Sequence, residues 1–179
     1  MNTDVTLRPT VEGDIAAISA IYADAVLSGT ASFELEPPSE AEMARRWRDL
    51  AGSGFPHLVA ERAGHVAGYA YAGPYRPRRA YRFAVEDSIY LAANSRGLGL
   101  GRLLLAELIA LSEAGGFRQM IAVIGGGAEN RASVALHSAL GFRLIGTFEG
   151  AGFKHGRWLD SVLMQRPLGP GNAVLPEDR

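Results

Sequence analysis

Between Arg96 and Arg102 the chain reads Arg-Gly-Leu-Gly-Leu-Gly-Arg, and no other stretch restricts the fold so tightly. Before it, Arg82–Ala92 carries Phe83, Val85, Ile89 and Leu91, residues suited to a pleated surface. After it, Leu103, Leu104, Leu108, Ile109 and Leu111 mark a strongly apolar helix, ended by Gly115-Gly116. The order is therefore strand, tight turn, helix. Glycines at alternate positions permit unusual backbone angles and remove side chains that would block a ligand. Free N–H groups at a helix start, at the positive end of its dipole, suit a phosphate or pyrophosphate, and Arg96 and Arg102 add charge. The same glycines also read as a plain chain reversal. Two familiar nucleotide motifs fail: a dinucleotide fingerprint from Gly99 needs glycine where Leu104 stands, and no Gly-Lys-Ser/Thr ending exists for a P-loop.

The remaining chain makes that unit part of a mixed sheet. Thr6–Arg8 reads as a short strand. Ile15, Ile18, Tyr22, Ala25 and Val26 recur at helical spacing from Glu12 onward, until Ser28-Gly29. Ser39 with Glu42 three residues on resembles a capping box, opening a second helix with Met43, Trp47 and Leu50 on its buried stripe. His57–Arg62 and His65–Gly73 form a hairpin about Ala63-Gly64. Met120–Ile124 is a buried strand, Asn130 is placed to cap a helix over about Ala132–Leu140, and Phe142–Phe148 and Trp158–Gln165 are the last strands. Residues 1–168 then make one domain, and residues 169–179, with Pro170, Gly171 and Pro176, read as a disordered tail. The early hairpin excludes a regular doubly wound sheet and indicates a mixed α+β domain.

Composition narrows the function. A formal charge of -1 over 179 residues gives no basic field for nucleic acid or an anionic membrane. The chain has no cysteine, which excludes disulfides, thiolate metal sites and a cysteine nucleophile, and suits a reducing compartment. No secretory signal is read at the N-terminus, and no apolar run approaches the roughly 20 residues that span a bilayer. A cytoplasmic protein without metal is expected, since no histidine or carboxylate cluster has ligand spacing.

Arg96-x-x-Gly99-x-Gly101 resembles the acetyl-CoA pyrophosphate signature of the GNAT superfamily of N-acetyltransferases. About 30 residues on, Asn130-Arg131-Ala132-Ser133 and Leu136-His137-Ser138-Ala139-Leu140-Gly141-Phe142 resemble that family's second cofactor segment. Ala72-Gly73-Pro74-Tyr75, Ala80-Tyr81, Val85-Glu86, Ile89-Tyr90, Ala122-Val123-Ile124-Gly125 and Phe153-Lys154-His155-Gly156-Arg157-Trp158 are similar to its phosphinothricin and methionine-sulfone acetyltransferase group. The resemblance runs from about Leu7 to Gln165. It implies a mostly antiparallel twisted sheet with helices on both faces, acetyl-CoA as donor, the α-amino group of a small amino-acid-like acceptor, a homodimer and a resistance role.

The same resemblance implies site roles. Ile89, Tyr90 and Leu91 would lie beside the acetyl carbonyl, with their backbone N–H groups on the developing oxyanion. Arg96, Gly97, Leu98, Gly99, Leu100, Gly101 and Arg102 would hold the pyrophosphate. Asn130 would bond the pantetheine arm with Ser133 beside it, although Asn130 also reads as a helix cap. Glu86 is the candidate base, since an α-amino group with pKa of about 7.7–8.0 must lose a proton before attack; otherwise it is a solvated strand residue. His137 stands where many relatives carry a tyrosine acid, and Tyr90 is a second candidate for protonating the thiolate. Phe33, Glu34, Tyr75, Arg76, Arg78, Arg82, Val85 and Glu86 would meet the acceptor, arginine being suited to a carboxylate. Arg76, Arg78, Arg79 and Arg82 are more basic, and Gly125-Gly126-Gly127 more glycine-rich, than that group leads one to expect. Lys154–Trp158 falls near either the site or a dimer interface. Other acceptors (a peptide N-terminus, a polyamine, an aminoglycoside), a non-catalytic acyl-CoA sensor and a Rossmann oxidoreductase are the competing readings. A basic loop disfavours polycations, the retained Glu86 disfavours a sensor, and the hairpin disfavours a Rossmann fold.

Overall fold

The computed structural model describes residues 5–176. Seven strands form one sheet: β1 (Val5–Pro9), β2 (His57–Arg62), β3 (His65–Pro74), β4 (Ala84–Leu91), β5 (Gln119–Gly125), β6 (Arg143–Lys154) and β7 (Arg157–Pro167). Their order is β1-β2-β3-β4-β5-β7-β6, with every pair antiparallel except β4–β5. Four helices pack on it: α1 (Ile15–Ser28), α2 (Glu40–Gly52), α3 (Leu100–Ala114) and α4 (Arg131–Ala139).

Period-two alternation divides the sheet into two apolar faces. Val59 and Tyr69 meet Ile15, Ile18, Tyr22 and Val26 of α1 and Met43 of α2. Their neighbours Leu58, Ala60, Ala70 and Ala72 meet Leu104, Leu105 and Leu108 of α3 on the other face. The small residues of β2 and β3 on that side let α3 lie close to the sheet. Helices on both faces follow, as expected.

The turns carry the chemistry their sequences predict. Ala63 and Gly64 take φ +50° and +77° between the paired ends Arg62 and His65, the geometry of a type I′ hairpin. His155-Gly156 repeats it at +53° and +73°, so β6 runs on to Lys154 rather than ending near Phe148. Ser39 Oγ accepts from Glu42 N–H, but Glu42 turns its own carboxylate to Arg45 and Arg46, so only half of the expected box forms. The stretch from Glu12 begins as a single 3-10 turn to Asp14, whose carboxylate binds Arg8 at 2.7 Å. Past β7, Leu168 is fully buried and donates its N–H to Arg118 O at 3.0 Å. Beyond it, Gly171 N–H returns to Leu168 O at 2.9 Å. No helix among the described residues is long and apolar enough to cross a membrane.

Candidate active site

The parallel pair β4–β5 is joined only over Ala84–Gln119, Val85–Met120 and Glu86–Ile121, whereas β4 continues to Leu91 and β5 to Gly125. Beyond Glu86 the strands part. Which backbone groups face the gap follows from the pleat. Ala92 N–H donates to Ala67 O and Ala84 O accepts from Tyr75 N–H, so even-numbered positions of β4 turn toward β3. Alternation turns the N–H groups of Ile89 and Leu91 toward the gap, where β5 no longer pairs with them. These are oriented donors in a crevice, the arrangement that stabilises negative charge on a carbonyl oxygen.

On the α3–α4 side the gap opens into a cleft of about 410 Å³. Of the expected cofactor residues, Ile89, Tyr90, Leu91, Arg96, Gly97, Gly101, Asn130 and Ser133 line it. Gly97 and Gly99 adopt φ +75° and +81°, left-handed backbone that favours glycine, and Gly99 is the N-cap of α3. The cradle is thus backbone, fitted to a pyrophosphate at a helix N-terminus. Leu98, Gly99, Leu100 and Arg102 shape the turn without lining the cleft: Leu100 is buried in the core, and Leu98 and Arg102 face solvent. Arg96 is ion-paired with Asp24 of α1 at 3.0 Å. Asn130 makes no side-chain cap bond; its amide donates instead to Gly125 O and to Thr30 Oγ1, so it ties β5 to the α1–α2 loop.

The other face of β4 carries Glu86, Ser88 and Tyr90. Tyr90 packs edge-on to Tyr22 at 4.9 Å and stacks on Tyr69 at 5.3 Å. Glu86 is half-buried; burial, followed by the neighbouring Asp87 charge, pushes its pKa up to about 7, while Arg76 pulls the other way. Phe33 lies over Gly125 and Gly152, where a Cβ would press into its ring; at Gly125 it would also meet the Thr30 carbonyl, and the next two glycines, at φ +80° and +47°, face the Thr30 side chain and Asp160. Glu34 is held by Arg46 at 2.7 Å and Tyr22 Oη at 3.1 Å. The β6–β7 turn clasps the same loop: buried Lys154 donates to Ser32 O at 2.7 Å, and the His155 ring lies 3.2 Å from Gly29 O. Three expected acceptor residues stand elsewhere. Val85 is 0 % exposed in the α3-side core. Arg78 and Arg82 line a separate groove with Phe55 and Phe117, which Arg76 also borders, and Arg82 covers the Phe83 ring. Arg76 packs on Tyr75 and lies near enough to act on Glu86.

His137 is 3 % exposed, with Nε2 2.9 Å from Asp87 Oδ2 and Nδ1 2.7 Å from Ser133 O. Burial lowers its pKa, but the hydrogen bond and charge of Asp87, helped by the Ser133 carbonyl, outweigh it and the net shift is upward. Asp87 went unnoticed in the sequence because its partner lies fifty positions away and nothing local links them. The Thr30-Ala31 wall of the cleft was likewise unread; its only sequence signal is the Ser28-Gly29 break. Among the described residues no group of three histidines or carboxylates is placed to hold a metal.

A family model described as an acetyltransferase (GNAT) domain matches residues 7–163. The chain is 52 % identical over 172 residues to the phosphinothricin N-acetyltransferase of Alcaligenes faecalis, covering 96 % of this chain and 87 % of that one. It is 42 % identical over 167 residues to the L-methionine sulfoximine/L-methionine sulfone acetyltransferase of Pseudomonas aeruginosa, covering 92 % and 95 %. Among solved structures, a GNAT superfamily phosphinothricin acetyltransferase from Sinorhizobium meliloti in complex with AcCoA superposes with a TM-score of 0.95. It shares 54 % identity, covering 99 % of this chain and 95 % of that one.

Proposed function

Because this chain belongs to the GNAT acetyltransferase family, we propose that it transfers the acetyl group of acetyl-CoA to the α-amino group of a small amino-acid-like acceptor. Phosphinothricin, methionine sulfoximine and methionine sulfone are the acceptors its relatives' names suggest. The observation that carries the reading is the parted pair β4–β5, with a backbone cradle on one face and a carboxylate of raised pKa on the other.

Acetyl-CoA supplies an activated thioester when bound. Gly97 and Gly101, with the N-terminus of α3, hold its pyrophosphate, and Arg96 adds charge. Asn130 and Ser133 border the pantetheine arm. The N–H groups of Ile89 and Leu91 receive the carbonyl oxygen. Glu86 takes the proton of the acceptor ammonium: with a pKa of about 7 it is partly ionised at neutral pH and close to the ammonium in basicity. Phe33 walls the acceptor together with Tyr71, which stands on β3 opposite Ser88 and stacks on His57 at 5.3 Å, and Arg76 faces its carboxylate. His137 is the proton source for the departing sulfur; Tyr90, held protonated by burial, has its hydroxyl side on the α1 face.

Residues 1–168 form one catalytic domain, followed by a tail outside it. A homodimer is supported by apolar side chains on the outer strands, with Trp158 70 % exposed beside exposed Phe153 and Phe148. We further propose a cytoplasmic site of action and a resistance role, acetylation of phosphinothricin being what one relative is named for.

The test is acetyl-CoA-dependent thiol release with phosphinothricin, methionine sulfoximine, methionine sulfone, free amino acids, a polyamine and an N-terminal peptide. Release with the first three is expected. Release only with another amine keeps the transfer chemistry and replaces the acceptor; binding of acetyl-CoA without release from any amine contradicts the proposal.

A further inference from the structure

His137 has no N–H of its own directed into the cofactor cleft. A carbonyl oxygen only accepts, so the 2.7 Å contact between Nδ1 and Ser133 O requires a proton on Nδ1. The 2.9 Å contact between Nε2 and Asp87 Oδ2 sets a second ring proton against a carboxylate, a charge-assisted pairing. The ring is then an imidazolium with both protons turned to protein atoms. It borders the gap between β4 and β5 but not the larger cleft. Ser133 borders both, and its Oγ lies 3.4 Å from Nδ1, so the Nδ1 proton is shared between the carbonyl and the hydroxyl of one residue.

We propose that Ser133 hands the proton to the departing sulfur and draws it from His137, with Asp87 as the positioning residue that keeps the imidazolium in place. The inference rests on the acetyl-transfer reading and adds to it the route of the proton. As the carbon–sulfur bond breaks, its electron pair goes to sulfur, which takes the proton of Ser133 Oγ. Ser133 Oγ in turn takes the proton of His137 Nδ1. The imidazole is left neutral, and Nε2–H stays bonded to the Asp87 carboxylate. A hydroxyl suits the middle position because it donates and accepts at once. The ring meets the Asp87 carboxylate from β4, the Ser133 hydroxyl and carbonyl from its own helix, and the uncharged edge of Phe142, 4.9 Å between centroids. Nothing among these contacts competes with Asp87 for the cation.

The experiment compares Ser133→Ala, Ser133→Thr and His137→Asn with the unaltered chain, in turnover and in binding. Ser133→Ala is expected to bind acetyl-CoA within about twofold by calorimetry but to lose roughly 10-fold to 100-fold in kcat, as loss of a proton donor does. Titrated by ultraviolet thiolate absorbance, the thiol of CoA bound to Ser133→Ala should have a pKa raised by about one, because the hydroxyl bond to the thiolate is gone. Ser133→Thr keeps the hydroxyl and should restore both readings. Weakened acetyl-CoA binding with unchanged kcat and thiol pKa would make Ser133 a plain contact and overturn the proposal. Equal losses in Ser133→Ala and Ser133→Thr would overturn it too. A chain that transfers no acetyl group at all speaks against the underlying function instead, and the thiol titration still decides the role of Ser133.

Discussion

The two sides of the parted strands are built by different means. On the α3–α4 side the part of the cleft facing the gap is backbone: Gly97, in a turn shaped by the left-handed Gly99, Gly101 of α3, and the N–H groups of β4 that β5 does not pair. The run Ile89–Gly101 supplies this backbone, and the rest of the wall comes from α4 and from the end of α1 with the Gly29, Thr30 and Ala31 that follow it. On the opposite side Glu86 is met by side chains from separate elements: Tyr71 of β3 and Arg76 of the β3–β4 loop act on it, and the Arg46–Glu34 ion pair joins α2 to the α1–α2 loop near Tyr71. A backbone cradle binds what every substrate pair has in common. A side-chain wall determines which acceptor fits. The comparison predicts that damage to either side leaves the other's binding intact.

The largest effect is expected from Glu86→Gln. Turnover should fall by about 10²–10⁴-fold while acetyl-CoA affinity, measured by calorimetry, stays unchanged. The same variant should melt at a higher temperature than the unaltered chain above pH 7. A carboxyl with its folded pKa raised is stabilising only in the protonated form, so its contribution fades as pH rises through about 7. Next is Gly99→Ala, which puts a side chain at φ +81° and costs about 1–2 kcal/mol in that conformation. Acetyl-CoA affinity should drop about tenfold with every acceptor alike, as titration calorimetry would show. Gly152→Ala should act on the other side alone: the added methyl displaces the Phe33 ring and raises acceptor KM several-fold, with acetyl-CoA binding untouched. The smallest effect belongs to Arg76→Ala. Removing the cation that pulls the Glu86 pKa down should move the acidic limb of the rate profile to higher pH by a fraction of a unit.

The same contrast explains what could be read from the sequence. The glycine turn, the hairpin at Ala63-Gly64 and the amphipathic α1 are local patterns, and all three lie where periodicity and turn chemistry put them. The sequence ends β6 near Phe148, but the strand runs on to Lys154 because His155 takes φ +53° beside Gly156 in a turn that nothing in Glu149–Lys154 announces. The arginine stretch could be seen but not divided. Arg76, Arg78 and Arg82 all border the groove at Phe55 and Phe117, yet of these only Arg76 also acts on Glu86, and that depends on how the loop between β3 and β4 folds back on distant residues. The sequence offers Asn130 as a helix cap or a pantetheine contact but not its actual bonds, since Gly125 and Thr30 come to it through the tertiary fold. Asp87 shows the limit most clearly: its neighbour in sequence points to the opposite face, and its partner sits on α4.

The most direct test of two faces served by one carboxylate is the pH dependence of kcat/KM for the acceptor, in the unaltered chain and in Glu86→Gln. The unaltered chain should gain activity as pH rises through about 7, and that limb should be absent from the residual activity of Glu86→Gln. A limb that persists unchanged in Glu86→Gln, or a rate within about threefold of the unaltered chain, would contradict the account.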